Sequence, residues 1–169
     1  MKLIIKIIAI LFLFNSTVSA YEDDGIDKIY TFIGIQGAST QYGNTDTPTI
    51  GFKYGKQTSE WRTALIYNYS ASSDDIFHSF IIQVDKGILT EMFKDMPFKP
   101  YLGFSIGVMQ HRNDNLKDRG YLFGGNVGFN YVLNREFDID LGYRYMTASK
   151  FEDLDDRGDI ALSLHYYFE

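Results

Sequence analysis

Cysteine is absent, which removes a disulfide framework and a thiolate metal site from consideration and leaves stability to the fold itself. Long apolar runs are absent too once Phe14 is passed, so no helix beyond that point can cross a bilayer. A membrane-spanning form of this chain therefore has to be a closed barrel, the other arrangement that satisfies every backbone polar group in lipid. Cations are in the minority: 16 Lys and Arg stand against 22 Asp and Glu, a net charge of −6. Nucleic-acid binding relies on basic groups to neutralise phosphates and is excluded on that balance. What is plentiful is aromatic side chains, 17%, and glycine, at 15 residues. A length of 169 residues suits one domain.

The opening stretch MKLIIKIIAILFLFNSTVSA sets Lys2 and Lys6 around the start of an apolar run that reaches Phe14, and closes on the small residues Ser19 and Ala20. This is the succession of a secretory signal peptide. The run falls short of the roughly 20 apolar residues a spanning helix needs. Residues 1–20 are therefore expected to be cleaved off, with the mature domain covering 21–169. Without Lys2 and Lys6 the mature chain carries 14 cations against 22 carboxylates, a net −8.

After residue 20 the dominant signal is alternation with period two. The closing ALSLHYYFE puts Ile160, Leu162, Leu164, Tyr166 and Phe168 on one face and Ala161, Ser163, His165 and Tyr167 on the other. Eight such segments are found, near 29–38, 49–56, 61–70, 77–87, 100–109, 120–132, 137–147 and 159–168. Most have roughly the 9–11 residues of a tilted transmembrane strand. One face is consistently bulky and apolar, such as Leu102, Phe104, Ile106 and Val108. The opposite face is small or charged, such as Gly103, Ser105 and Gly107. A soluble sandwich turns its bulky face inward and has no use for glycines outside. A narrow barrel needs small residues in its crowded lumen and bulky ones against lipid. Tyrosines and Trp61 at strand ends fit an aromatic girdle. The pattern predicts an all-β, eight-stranded antiparallel up-and-down transmembrane β-barrel.

The polar connections STQYGNTDTP, ASSDDI, QHRNDNLKDR and ASKFEDLDDRG are read as long loops at one end, and QTSE and LNRE as tight turns at the other. The segment 88–99 breaks the pattern: Ile88, Met92 and Met96 recur at helical spacing, so a short amphipathic helix or an extension of the fourth strand is expected there, and a hairpin would raise the strand count to ten.

The stretches PFKPYLGFSIGVM and FDIDLGYRYM, with the closing LSLHYYF, resemble the fifth, seventh and last strands of the small bacterial outer-membrane β-barrel superfamily of OmpA-like and OmpX-like barrels. The resemblance covers nearly all of the mature chain and specifies a fold more than an activity. It implies residence in the outer membrane with both termini in the periplasm. It also implies a terminal aromatic strand, here Leu164, Tyr166 and Phe168, read by the barrel-assembly machinery. That machinery usually meets Phe as the last residue, whereas Glu169 follows Phe168 here.

Within such a barrel, Lys53, Arg62, Asp85, Asp138, Asp140, Arg144 and His165 fall on the inward face. Unpaired ions in so confined a space cost several kcal/mol, so a salt-bridge network is expected, with Arg62 beside Asp85. Its expected role is to plug and stiffen the lumen, since an eight-stranded interior is just wide enough for side chains. Ser163, His165 and Asp140 have the residue types of a hydrolytic triad, but Ser163 and His165 sit two apart on one strand inside a plugged lumen. No catalytic, cofactor or metal residues are assigned. His111 and His78 read as solvated loop histidines. The acidic 152–159 stretch fails the EF-hand spacing, because Arg157 stands fifth and Leu164 twelfth from Asp153. Arg157-Gly158-Asp159 spells an integrin-recognised tripeptide that arises often by chance.

The expected function is that of a non-enzymatic, monomeric outer-membrane barrel with a membrane-structural or surface-contact role. Its expected partners are outer-membrane lipid and lipopolysaccharide, and the assembly machinery during biogenesis. An outer-leaflet lipid-modifying enzyme and a narrow ion-conducting pore are the alternatives.

Overall fold

The computed structural model describes residues 28–43, 45–72, 75–93, 95–113, 117–151 and 156–168; the expected signal peptide lies outside them. Eight strands run in chain order: β1 (Tyr30–Tyr42), β2 (Thr45–Gln57), β3 (Trp61–Ala71), β4 (Ile76–Gly87), β5 (Phe98–Arg112), β6 (Lys117–Val132), β7 (Phe137–Ser149) and β8 (Asp156–Phe168). Each pairs antiparallel with the next, and β8 closes on β1, so the sheet is a closed barrel without free edges. Eight strands, not ten, is the outcome.

Closure imposes a stagger. One row of register partners runs from Gln57 through Arg62, Asp85, Gly103, Asn126, Arg144, Asp159 and Thr40, and returns to β2 at Thr47 instead of Gln57. The strands are therefore tilted, and polar residues distant in sequence are threaded along a single row.

The faces follow the alternation. Outward stand Ile35, 64% exposed, and Ile50, 67%, with Phe52, Phe80, Leu102, Phe104, Phe123, Val127, Ile160 and Leu162; inward, Arg157 and His165 are 0% exposed. This is a soluble protein turned inside out, as lipid in place of water requires. Outward Trp61, Tyr54, Tyr131 and Tyr166 lie toward the end that holds the chain termini, and Tyr121, Tyr143 and Tyr145 toward the far end. The lumen is layered. Ile66, Ile81, Met109, Leu122 and Met146 form an apolar cluster in the barrel interior. Toward the far end Phe77 stacks between Tyr42, at 3.9 Å, and His111, at 4.5 Å.

Two expectations about connections are corrected. STQYGNTDTP is not a loop: β1 continues to Tyr42 and β2 starts at Thr45, with Gly43 at φ 56° in the turn. In the same way β5 reaches Arg112 and β6 begins at Lys117, so most of QHRNDNLKDR is strand. Residues polar on both faces still pair their backbones, so the strands run on past the apolar part of the outer wall. The second correction concerns 88–97, where no helix forms among the described residues. Phe93 N donates to Leu89 O at 3.1 Å, a single turn, and Leu89 at φ 55° breaks the entry. The turn is pinned by Lys99 Nζ donating to Phe93 O at 2.8 Å and by Phe93–Phe98–Phe129 ring contacts.

Candidate functional site

The inward row described above carries the chemistry of the lumen. Arg62, near the start of β3, donates from Nε and Nη2 to Asp85 Oδ2 on β4 at 2.9 and 2.8 Å. Its Nη2 also lies 2.7 Å from Asp140 Oδ2 on β7, and its Nη1 donates to Asn130 Oδ1 on β6 at 2.8 Å. The guanidinium is capped by the Tyr101 ring, 4.6 Å away, while Tyr101 Oη donates to Asp140 Oδ1 at 3.0 Å. Lys53 Nζ on β2 reaches Asp140 Oδ2 at 3.7 Å. One arginine thus ties four strands together, a use suited to the planar, multiply donating guanidinium.

A second ionic group follows along the same row. Arg144 donates to Asp159 through Nη2 at 3.0 Å, and Arg157 Nη2 lies 3.2 Å from Asp159 Oδ2, with Arg157 Nη1 donating to Ser79 Oγ at 2.8 Å. Gln83 joins the two groups: its Nε2 donates to Asp85 Oδ2 at 2.9 Å and its Oε1 accepts from Arg144 Nη1 at 3.2 Å. Gly103 occupies the row between Asp85 and Asn126, and across it Asn126 Nδ2 donates to Asp85 Oδ1. Among the described residues four buried cations, Lys53, Arg62, Arg144 and Arg157, face four buried carboxylates, Asp85, Asp138, Asp140 and Asp159. That balance is what a low-dielectric interior demands of ions it encloses. The void beside Lys53, Gln83, Asp140 and Arg144 is about 10 Å3, room for about one water molecule.

All seven charged residues singled out in the sequence point into this lumen; Arg62 stands beside Asp85 as expected, and Lys53, Asp138, Asp140 and Arg144 join partners anticipated only in kind. His165 differs in detail. Its Nδ1 lies 2.8 Å from Asp138 Oδ1, not against Asp140, because the register sets Asp138 opposite His165 and Asp140 opposite Ser163. Asp138 Oδ2 is held by Tyr167 Oη at 2.6 Å, which also contacts Gln57 Oε1 at 2.9 Å. No triad is assembled: neither Ser163 Oγ nor His165 Nε2 has a hydrogen-bond partner among the described residues. Leu164, Tyr166 and Phe168 alternate on the outer face of β8, with Tyr166 packed on Phe137 at 5.1 Å between ring centres.

Sequence reasoning missed Arg157 and Asp159 as lumen residues. Their parity with Ser163 and His165 was the available signal, hidden by the acidic composition of the preceding stretch. Because Arg157 and Asp159 are both buried, the tripeptide they begin and end is not presented to a receptor. His111 and His78 are not free loop groups either. His111 Nε2 lies 2.7 Å from Asp75 Oδ1, and His78 Nδ1 lies 2.8 Å from Tyr67 Oη.

Comparison with known proteins agrees with this architecture. No curated protein sequence matches the chain significantly. Among solved structures, Neisserial surface protein A aligns with a TM-score of 0.65 at 18% identity, over 83% of this chain and 97% of that one. The N-terminal β-barrel domain of Pseudomonas aeruginosa OprF aligns at 0.53 with 14% identity, over 83% of this chain and 100% of that one. The outer membrane enzyme PagL aligns at 0.52 with 12% identity, over 79% and 97% respectively. At such identities the likeness is one of fold. The family model described as "Outer membrane protein beta-barrel domain" matches residues 7–168, and the chain, an eight-stranded barrel with an apolar outer wall, belongs to that family.

Proposed function

We propose that this outer-membrane barrel is a sealed, non-enzymatic element of the membrane whose far end faces the cell exterior and makes surface contacts. The single observation that carries the reading is the charge-balanced lumen, in which Arg62 alone bonds to Asp85, Asp140 and Asn130 and the void beside the network is about 10 Å3. Planar-bilayer recording tests it: the wild-type chain is expected to show no unit conductance, and a discrete open level would overturn the sealed reading in favour of a narrow pore. Mass spectrometry of lipid A from cells with and without the protein tests the lipid-modifying alternative, and a mass change that depends on the protein would reverse the non-enzymatic reading.

The orientation, with termini in the periplasm, is supported by the outer wall. At the terminal end the apolar face runs out to Trp61 on β3, Tyr131 on β6 and Phe168 on β8, with single outward lysines, Lys56 and Lys86, at the ends of β2 and β4, whereas at the far end the strands overshoot it with Ser39, Gln41, Asp46 and Gln110 facing outward. Overshoot of this kind belongs to the side where barrels project from the membrane. Since the chain has no cysteine, single substitutions Gln41→Cys and Ser59→Cys give an unambiguous test. In intact cells an impermeant maleimide is expected to label only the first; labelling of only the second would invert the orientation. The outward row Leu164, Tyr166 and Phe168 is assigned as the strand read during assembly. Phe168→Ala is expected to lower the yield of folded barrel in the outer membrane, and an unchanged yield would remove that role.

A further inference from the structure

The three exposed tyrosines at the far end of the outer wall are not alike. Tyr121 on β6 has Lys150 Nζ 5.0 Å from its ring centre, much as Trp61 at the terminal end has Lys86 Nζ at 5.1 Å. Among the described residues no cation lies over Tyr143 or Tyr145 on β7. What stands beside them is a carboxylate: Tyr145 Oη donates to Asp156 Oδ2 at 2.9 Å. Asp156 makes no ion pair among the described residues. The sequence of the far-end connections 73–74, 114–116 and 152–155 contains no Lys or Arg that could supply one.

The register keeps the Tyr145 ring uncovered. Tyr145 is opposed by Gly125 on β6 and by Gly158 on β8, and Gly158 is opposed in turn by Gln41 on β1. A Cβ at Gly125 would meet only Gly103 O, at 3.8 Å, and one at Gly158 only Tyr143 Oη, at 3.7 Å, both ordinary contacts. Crowding therefore demands neither glycine, and what the two leave is open space on both sides of a ring. Gln41, Gly43, Tyr143, Tyr145, Asp156 and Gly158 line a groove of about 290 Å3. That is close to the lower bound of about 300 Å3 for small-molecule sites, so the groove suits a ligand of few atoms. It opens at the β1–β2 turn, where Gly43 sits, beyond the last apolar outward residues of β1 and β8, Ile35 and Ile160. A ligand reaches it from the aqueous side, not from among the lipid chains.

We propose that this groove binds a small, soluble methylated ammonium ion. Such a cation is attracted to the faces of tyrosine rings within about 6 Å of their centres. Its methyl groups spread the charge and leave it weakly hydrated, so it gives up little on entering an aromatic-walled groove. The Asp156 carboxylate supplies the counter-charge, and by accepting from Tyr145 Oη it adds electron density to that ring. The Gln41 amide, on the open side, is placed to hydrogen-bond a hydroxyl of the ligand. An anion is repelled by Asp156, with no cation in the lining to offset it. A primary ammonium asks for three acceptors and gains less from two ring faces.

The test is calorimetric titration of the full mature barrel, in dodecyl maltoside, with choline and with dimethylbutanol, its uncharged counterpart of the same shape. Wild type is expected to bind choline at least about tenfold more tightly than the alcohol. Asp156→Asn and Tyr145→Leu are each expected to weaken choline about fivefold, through loss of the counter-charge or of one ring face. Gly158→Val fills the floor of the groove and is expected to abolish binding. Tyr121→Leu, which removes the tyrosine that Lys150 already occupies, is expected to match wild type. Folding of each variant is checked by heat-modifiable migration, and the two surface changes at Asp156 and Tyr145 decide if Gly158→Val fails to fold. No choline binding by wild type, equal binding of the alcohol, or wild-type affinity in both Asp156→Asn and Tyr145→Leu overturns the site. In phosphatidylcholine nanodiscs soluble choline is expected to keep its affinity. Its displacement there would make the lipid headgroup the occupant and overturn the soluble assignment. Micelles leave both ends of the barrel accessible, so the outcome is independent of orientation and of whether the lumen conducts.

Discussion

Gly103 is the residue on which the lumen row turns: a Cβ there would overlap Asp85 Oδ1 and Asn126 Nδ2 and stand 2.5 Å from Val84 O. Gly103→Ala is therefore expected to destabilise the barrel by about 1–3 kcal/mol through overpacking, read as a lower urea midpoint in liposomes. Gly37, whose Cβ would meet nothing within 4 Å, is the control, and Gly37→Ala is expected to stay within about 0.5 kcal/mol of wild type. Asp85→Ala removes the carboxylate that accepts from Arg62, Gln83 and Asn126. It leaves a buried guanidinium with one ionic partner fewer, and a loss of about 3–5 kcal/mol is expected in the same measurement. At this scale the sequence showed which residues of the recognised strands face inward, because parity decides it, but it left out Arg157 and Asp159, read as part of an acidic loop. It did not show that His165 would meet Asp138 and not Asp140, since one pleat of register separates the two outcomes.

β8 illustrates what can be read at the scale of an element. Its outward row from Ile160 to Phe168 is uninterrupted and apolar, so Leu162→Arg, on the lipid-facing wall, is expected to cost about 2–4 kcal/mol if Leu162 lies near the bilayer midplane. Gln41→Arg on neighbouring β1, outward at the far end, is expected to be nearly neutral; paired unfolding titrations in liposomes compare them. Alternation was legible wherever one face was apolar. It faded where both faces were polar, as in β1 beyond Ala38 and β2 before Ile50, and there strands were mistaken for loops. The 88–97 connection misled for the opposite reason. Its apolar spacing suits a helix, but docking of Phe93 on Phe98 and the left-handed Leu89 leave a single turn.

At the scale of the whole molecule, every strand has two paired neighbours, so unfolding cannot begin from an open sheet edge. Unboiled samples in dodecyl sulfate are expected to migrate differently from boiled ones, and identical migration would contradict a closed barrel. Closure also sets the diameter, and an eight-stranded interior is just wide enough for side chains to fill.

By itself the sequence determined that the chain forms a barrel of alternating strands and, wherever one face is apolar, which side chains turn toward lipid and which toward the axis, while the choice between eight and ten strands waited on the 88–97 connection. These follow from period-two alternation and from the absence of any apolar run able to make a spanning helix. Only the tertiary structure decided who meets whom. Closing the sheet with a stagger brings Arg62, Asp85, Asn126, Arg144 and Asp159 from five strands into one row, and sets Tyr145, Gly158 and Gln41 side by side on the outer wall. Register is a long-range quantity, summed around the whole barrel, and no local window of residues contains it.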